Sequence, residues 1–181
     1  MNNSKKYSPT AYLLICALFA ALTGVFSAIS IPLPFTPIPV NLATLSVFLA
    51  GGLLGTKYGT ISQTVYLALG AIGVPVFHSF TGGIGILVGP TGGYILGYVL
   101  AAYVIGLISS KNPKNKITVL AIAMVFGIAA CYALGTVWFM ISTGTGLTAS
   151  LISCVIPFLP GDGLKIVASC LLIKKLRPIL F

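Results

Sequence analysis

Acidic side chains are almost missing from this chain of 181 residues. It contains no glutamate, and its only aspartate is Asp162. That scarcity excludes enzyme mechanisms built on a pair of carboxylates. There is a single histidine, His78, with no second histidine and no acid near it in sequence, which makes it a poor base or metal ligand. Neither HExxH nor a convincing Ser-His-Asp set can be assembled. No GK[ST] follows any glycine stretch, so an ATP-binding motif is missing too. Cys16, Cys131, Cys154 and Cys170 have no CxxC spacing and lie in or beside apolar runs, where they pack as small hydrophobes.

Charge of either sign is scarce as well. Charged residues are 6% of the chain, against roughly 25% in an ordinary soluble domain. Hydrophobic residues are 57% and mean hydropathy is +1.10. A soluble protein this apolar could not cover its surface with polar groups, so the class is integral membrane. The net charge of +9 would suggest nucleic acid in a soluble protein. Here the bases sit in short clusters between apolar runs, which suits cytoplasmic loops and excludes nucleic acid as partner.

Six apolar segments emerge, at about 11–30, 41–55, 59–76, 92–110, 117–141 and 149–173. The second rises only ~22 Å against ~30 Å of hydrocarbon, so a re-entrant piece competes with a crossing. Charge placement decides between them. With six crossings, Lys5, Lys6, Lys57, Lys111, Lys114, Lys116, Lys174, Lys175 and Arg177 all fall on one side. The positive-inside rule then predicts an all-α protein with six transmembrane helices and both termini in the cytoplasm. Lys5 and Lys6 followed by an apolar run resemble a leader peptide, but the run from Ala11 to about Ser30 is long enough to span. It reads as a first membrane helix. No repeat or low-complexity tract divides residues 1–181, so a single domain is expected.

The loops opposite the bases have character. IPLPFTPIPV, residues 31–40, carries four prolines and reads as a stiff extended segment. FHSFTGGIGILVGPTGGY, residues 77–94, is either a set of tight turns or a cap over a cavity. STGTGLTAS is small and polar. Ala17-xxx-Ala21 and Gly93-xxx-Gly97 have the spacing that lets helices approach closely. Tyr7, Tyr12, Tyr58, Tyr66, Tyr94, Tyr98, Tyr103, Tyr132 and Trp138 read as interface belt residues or pocket walls, and the places of Tyr94 and Trp138 near the outer ends of their segments suit a pocket.

The stretch PFLPGDGLKI, residues 157–166, holds Asp162 with Lys165 three positions on. Counting back from Lys174 at the cytoplasmic end, Asp162 lies ~18 Å and Lys165 ~13 Å along a helix axis. Each charge alone would cost roughly 2.5–3.5 kcal/mol at the bilayer centre, and i,i+3 spacing lets them pair on one face. Pro160-Gly161 marks a kink or a fresh helix start, with free amides at its positive end. The pair is either a structural clamp or the polar end of an outward-opening ligand pocket.

In order along the chain, IPLPFTPIPV (31–40), LAGGLLGTKYG (49–59), YLALGAIGVPVF (66–77), GGIGILVGPTGGYILG (82–97) and PFLPGDGLK (157–165) resemble the BioY family. These are the biotin-specific substrate-binding (S) subunits of energy-coupling factor (ECF) transporters. The resemblance spans almost the whole chain. It implies a six-helix fold with an outward cavity, high-affinity vitamin capture, no catalysis and no cofactor in this chain. It also implies docking on a membrane scaffold with two ATP-hydrolysing partners in the cell membrane, with Ala17 and Ala21 as the docking patch. Another vitamin or small solute is the alternative cargo. Asp162 and Lys165 fall on the family's PGD-xx-K acid and base, and the implied contacts extend to Asn41, Thr44, Phe77, Thr81, Gly82, Gly83 and Tyr94. A urea ring has two N–H donors for the acid and a carbonyl for the lysine. The chain departs from the family pattern at Ala43, where a glutamine is usual, and at Thr81, where some members have a ligand-contacting asparagine.

Overall fold

Ser8 accepts a hydrogen bond from the Ala11 amide at 3.3 Å, capping the first helix, α1 (Pro9–Ala28), where its amides have no partners of their own. The structure is a computed structural model that describes residues 8–34, 36–111 and 116–180. Lys5, Lys6, Tyr7, Lys114 and Phe35 lie outside the described residues.

After α1 the proline-rich segment forms an antiparallel hairpin, β1 (Ser30–Leu33) and β2 (Thr36–Asn41). Ser30 pairs with Asn41, Ile31 with Val40 and Leu33 with Thr36, with an irregularity between Ile31 and Leu33. The extended conformation matches the proline content. The pairing of the segment with itself was not expected, and it is the one departure from an all-helical chain among the described residues.

Helix α2 (Ala43–Ala71) consists of two helical arms that meet at a break in the backbone. At Gly55 the backbone takes φ 72° and ψ −169°, a region open essentially to glycine alone. The two arms then run back along each other. A side chain on Gly59 would come within 2.9 Å of the Ala50 carbonyl oxygen, although nine positions of straight helix would separate them by ~13 Å. The arms match the expected second and third segments, with corrected ends. Asn41 belongs to a strand and residues 72–76 to a loop, where Gly73 and Pro75 end the helix. Residues 43–54 rise only about 18 Å and residues 56–71 about 24 Å.

A short helix α3 (Ile84–Val88) lies in the glycine loop and is followed by α4 (Gly92–Ser110) and α5 (Ile117–Thr143). The segment expected as one helix over 149–173 is broken. Helix α6 (Leu147–Cys154) ends at Val155, a 3-10 turn covers Ile156–Phe158, and α7 (Leu159–Leu180) starts afresh. Pro157 and Pro160 fit the break, since neither donates an amide proton and each stands at the start of a new helical turn, where no such donor is needed. Asp162 therefore sits in the first turn of α7.

The stretches Thr10–Ala28, Gly92–Ser110, Ile117–Thr143 and Leu147–Pro178 are each long and apolar enough to cross a membrane. Much of their exposed surface is itself apolar: Leu14, Leu18, Ile122, Phe126, Leu164 and Leu171 all point outward. Lipid is as apolar as a leucine side chain, so contact between helices rests on close packing. Small residues permit it. A side chain on Gly97 would meet the Cys131 sulfur at 2.7 Å, and one on Gly93 the Trp138 Cβ at 2.2 Å, so this pair of glycines serves packing of α4 on α5. Polar contacts add to it: Thr23 on α1 lies 2.8 Å from Ser46 on one arm of α2 and accepts from Gln63 on the other at 3.1 Å.

Candidate solute-binding site

The two ends of the bundle differ. At one end Tyr12, Gly55, Tyr58, Ser110 and Arg177 line a common cleft, with Lys57, Lys111, Lys174 and Lys175 in the same turns and helix ends. At the other end lie the hairpin, the glycine loop and the α5–α6 turn. Beneath the hairpin is a cavity of about 40 Å³, room for a few waters.

Strand β2 contributes Ile38, Pro39 and Asn41 to its wall, α2 Thr44, and α4 Tyr94 and Tyr98. Helix α5 contributes Ile128, Cys131 and Tyr132; Cys154, Phe158, Asp162 and Lys165 close the far side. Asn41 faces the cavity while its Oδ1 accepts from the Ala43 amide at 3.1 Å, which fixes the side chain at the start of α2. The Tyr94 hydroxyl is held 3.1 Å from Thr136 Oγ1.

Asp162 is 4% exposed. Its Oδ1 accepts from Lys165 Nζ at 2.9 Å and from Thr44 Oγ1 at 3.1 Å, and its Oδ2 accepts from the Tyr132 hydroxyl. Lys165 also donates to Thr44 Oγ1 at 2.9 Å. The fresh start of α7 turns both charged side chains inward, and i,i+3 spacing stacks them on one face. The pair is neutral overall and each of its charged-group atoms, Oδ1, Oδ2 and Nζ, has a polar partner, which is what makes buried ions tolerable. Such a floor can recognise a neutral polar group with both donors and an acceptor. The surrounding isoleucine side chains and proline, phenylalanine and tyrosine rings can hold an apolar body.

The sequence-derived residues therefore divide. Asn41, Thr44, Tyr94, Asp162 and Lys165 come together around the cavity. Phe77, Thr81, Gly82 and Gly83 do not line it. Phe77 is fully buried and packs edge-on to Tyr66, 5.6 Å between centroids, filling the space a side chain on Gly70 would take. Thr81 donates to the His78 carbonyl at 2.7 Å. A side chain on Gly82 would meet the Val74 carbonyl oxygen at 2.4 Å, and Gly83 has φ 98°. These two glycines shape the loop. Trp138 is not a pocket wall either; its Nε1 donates to the Gly89 carbonyl at 3.0 Å and ties the loop to α5. Burial holds His78 below its ordinary pKa, so it is neutral at pH 7, with Nε2 3.4 Å from Thr91 Oγ1. Ala17 and Ala21 do not line the cavity; they lie on an exposed face of α1 with Leu14, Leu18 and Val25.

Ile128 and Cys131 are site residues that sequence reasoning did not single out, and Tyr98 and Tyr132 are tyrosines that it left open between interface belt and pocket wall. Tyr132 carries a readable signal. Belt tyrosines sit at helix ends, whereas Tyr132 is in the middle of an apolar helix, where a hydroxyl needs a partner.

These features define a multi-pass membrane protein with a polar-floored cavity at one end of the bundle. The chain belongs to the BioY family, whose model matches residues 1–180. It is 33% identical over 181 residues to the biotin transporter BioY of Lactococcus lactis, covering 98% of this chain and 94% of that one. It is 40% identical over 166 residues to the biotin transporter BioY of Thermotoga maritima, covering 91% and 95%. A crystal structure of the S-component for biotin from an ECF-type ABC transporter superposes with a TM-score of 0.87 at 32% identity, covering 98% of this chain and 95% of that one. The expectation of a non-enzyme agrees with a family whose named members are transporters.

Proposed function

We propose that this chain captures biotin from the outer face of the cell membrane and delivers it as the substrate-binding subunit of an ECF-type importer. The observation that carries this reading is the buried Asp162–Lys165 pair, joined by Thr44 and Tyr132 beneath an otherwise apolar cavity. A bicyclic urea has the matching chemistry. Its N–H groups donate to the Asp162 carboxylate, its carbonyl accepts from Lys165, and its thioether ring lies against Ile38, Ile128 and the Tyr94 and Tyr98 rings. Asn41 and Thr44 supply the neutral polar rim.

Uptake needs energy that this chain does not carry, so the reading includes a membrane scaffold subunit and two ATP-binding-cassette ATPases. The exposed small-residue face at Ala17 and Ala21 is the proposed docking patch, because small side chains let a partner helix approach closely. The basic end of the bundle faces the cytoplasm in this arrangement, and both termini with it.

Isothermal titration of the purified chain tests the reading without ATP or partners. Saturable one-to-one binding of biotin is expected. Asp162→Asn keeps the shape but lowers affinity about 10- to 100-fold, because hydrogen bonds to charged groups contribute about 1.5–3 kcal/mol. A folded wild-type sample that binds no biotin refutes the function; an Asp162→Asn variant with wild-type affinity refutes the role of the carboxylate.

A further inference from the structure

A buried carboxylate must have its oxygens occupied, and donors of the protein itself reach both oxygens of Asp162. Two donors, Lys165 and Thr44, share Oδ1; Oδ2 belongs to Tyr132. The three donors differ in how easily each can leave. Lys165 is the counter-charge, and its removal strands a buried ion. Thr44 bridges Lys165 and Asp162, so its departure loosens both. Tyr132 touches only Oδ2 and can withdraw while the ion pair stays closed. Its ring also lines the cavity, which at about 40 Å³ is far smaller than the roughly 300–1,000 Å³ of sites that hold small molecules. Withdrawal of Tyr132 would therefore free an acceptor and open space in one motion.

We propose that Tyr132 is an internal stand-in for the ligand's N–H donor: it donates to Asp162 Oδ2 and is displaced from it by a cyclic urea. This deepens the biotin reading above and rests on it. Tyr132 is then a specificity-determining residue. A ligand has to bring an N–H able to replace the phenol, so urea or amide heads are admitted, and heads without such a donor leave the Tyr132–Asp162 bond in place. The wild-type affinity is the difference between the new bond and the one given up. Removing the phenol hydroxyl leaves Oδ2 without its donor in the empty state, and a ligand N–H then gains the whole bond.

The test compares the full wild-type chain with Tyr132→Phe, using biotin as the probe in titration calorimetry and stopped-flow mixing. The expected result is binding about tenfold tighter in the variant, gained mainly as faster association. Equal or weaker binding by a folded Tyr132→Phe chain overturns the proposal while leaving the biotin reading intact. A wild-type chain that binds no biotin overturns that reading itself. Should the variant fail to fold, 3-fluorotyrosine placed at position 132 of the otherwise wild-type chain gives a second measurement. Its fluorine resonance is expected to move on saturation with biotin, and an unmoved resonance overturns the displacement.

Discussion

A carboxylate in the core of a bilayer costs roughly 2.5–3.5 kcal/mol on the insertion scale, and Asp162 offsets that with donors from three helices: Thr44 on α2, Tyr132 on α5 and Lys165 on α7. The pairing of Asp162 with Lys165 was legible in the i,i+3 spacing. The participation of Thr44 and Tyr132 was not, because neither spacing nor type identifies a partner more than a hundred residues, or even thirty residues, away. The cluster makes stability and binding separable. Asp162→Ala leaves Lys165 buried without a counter-charge and should lower stability by about 3–5 kcal/mol. The double variant Asp162→Leu, Lys165→Met replaces the pair by apolar side chains of similar volume and should recover most of that loss while binding no biotin. Thermal unfolding with a parallel titration checks both. A double variant as unstable as Asp162→Ala would mean that the loss comes from packing and not from the stranded charge.

Among the elements, the α2 hairpin turns on one residue. Gly55 adopts a conformation that side chains avoid, and no atom lies within 4 Å of where its Cβ would be. Gly55→Ala therefore meets no clash, and its cost is backbone strain alone, about 1–3 kcal/mol. A thermal unfolding midpoint unchanged within error would show that the arms tolerate another turn. The six long helices were readable because each is a sustained apolar run. The division of the last one into α6 and α7 was half readable: Pro160-Gly161 announced a fresh start, but the 3-10 turn at Ile156–Phe158 places it slightly earlier. The hairpin of residues 30–41 was read as extended but not as paired, since pairing depends on how α1 and α2 bring its ends together. Thr81, Gly82, Gly83 and Phe77 were read as ligand contacts because the family resemblance implied them; the glycine-rich loop by itself left tight turns and a cap equally open. In the structure those glycines answer to backbone contacts with residues 73 and 74 and to loop conformation.

For the whole molecule, Lys57, Lys111, Lys174, Lys175 and Arg177 gather at one end of the bundle and the cavity lies near the other, which is the arrangement an outward-facing capture protein in a bilayer needs. The proposed orientation has a direct check. All four native cysteines are buried, whereas Lys57 and Thr148 are exposed at opposite ends. In intact cells, an impermeant thiol reagent should label Thr148→Cys and spare Lys57→Cys until the membrane is opened. The reverse pattern would invert the topology and place the cavity on the cytoplasmic side.

Composition alone determined that this is a multi-pass membrane protein, the apolar runs pointed to six helical segments, and spacing singled out Asp162 and Lys165 as a charged pair inside an apolar stretch. Those properties follow from transfer free energies, which add along a chain and need no knowledge of neighbours. Only the tertiary structure decided which hydroxyls complete the Asp162 floor, which glycines serve packing, and which aromatic rings face the cavity. Those assignments depend on helix contacts between residues distant in sequence, where fractions of an ångström separate a hydrogen bond from a gap.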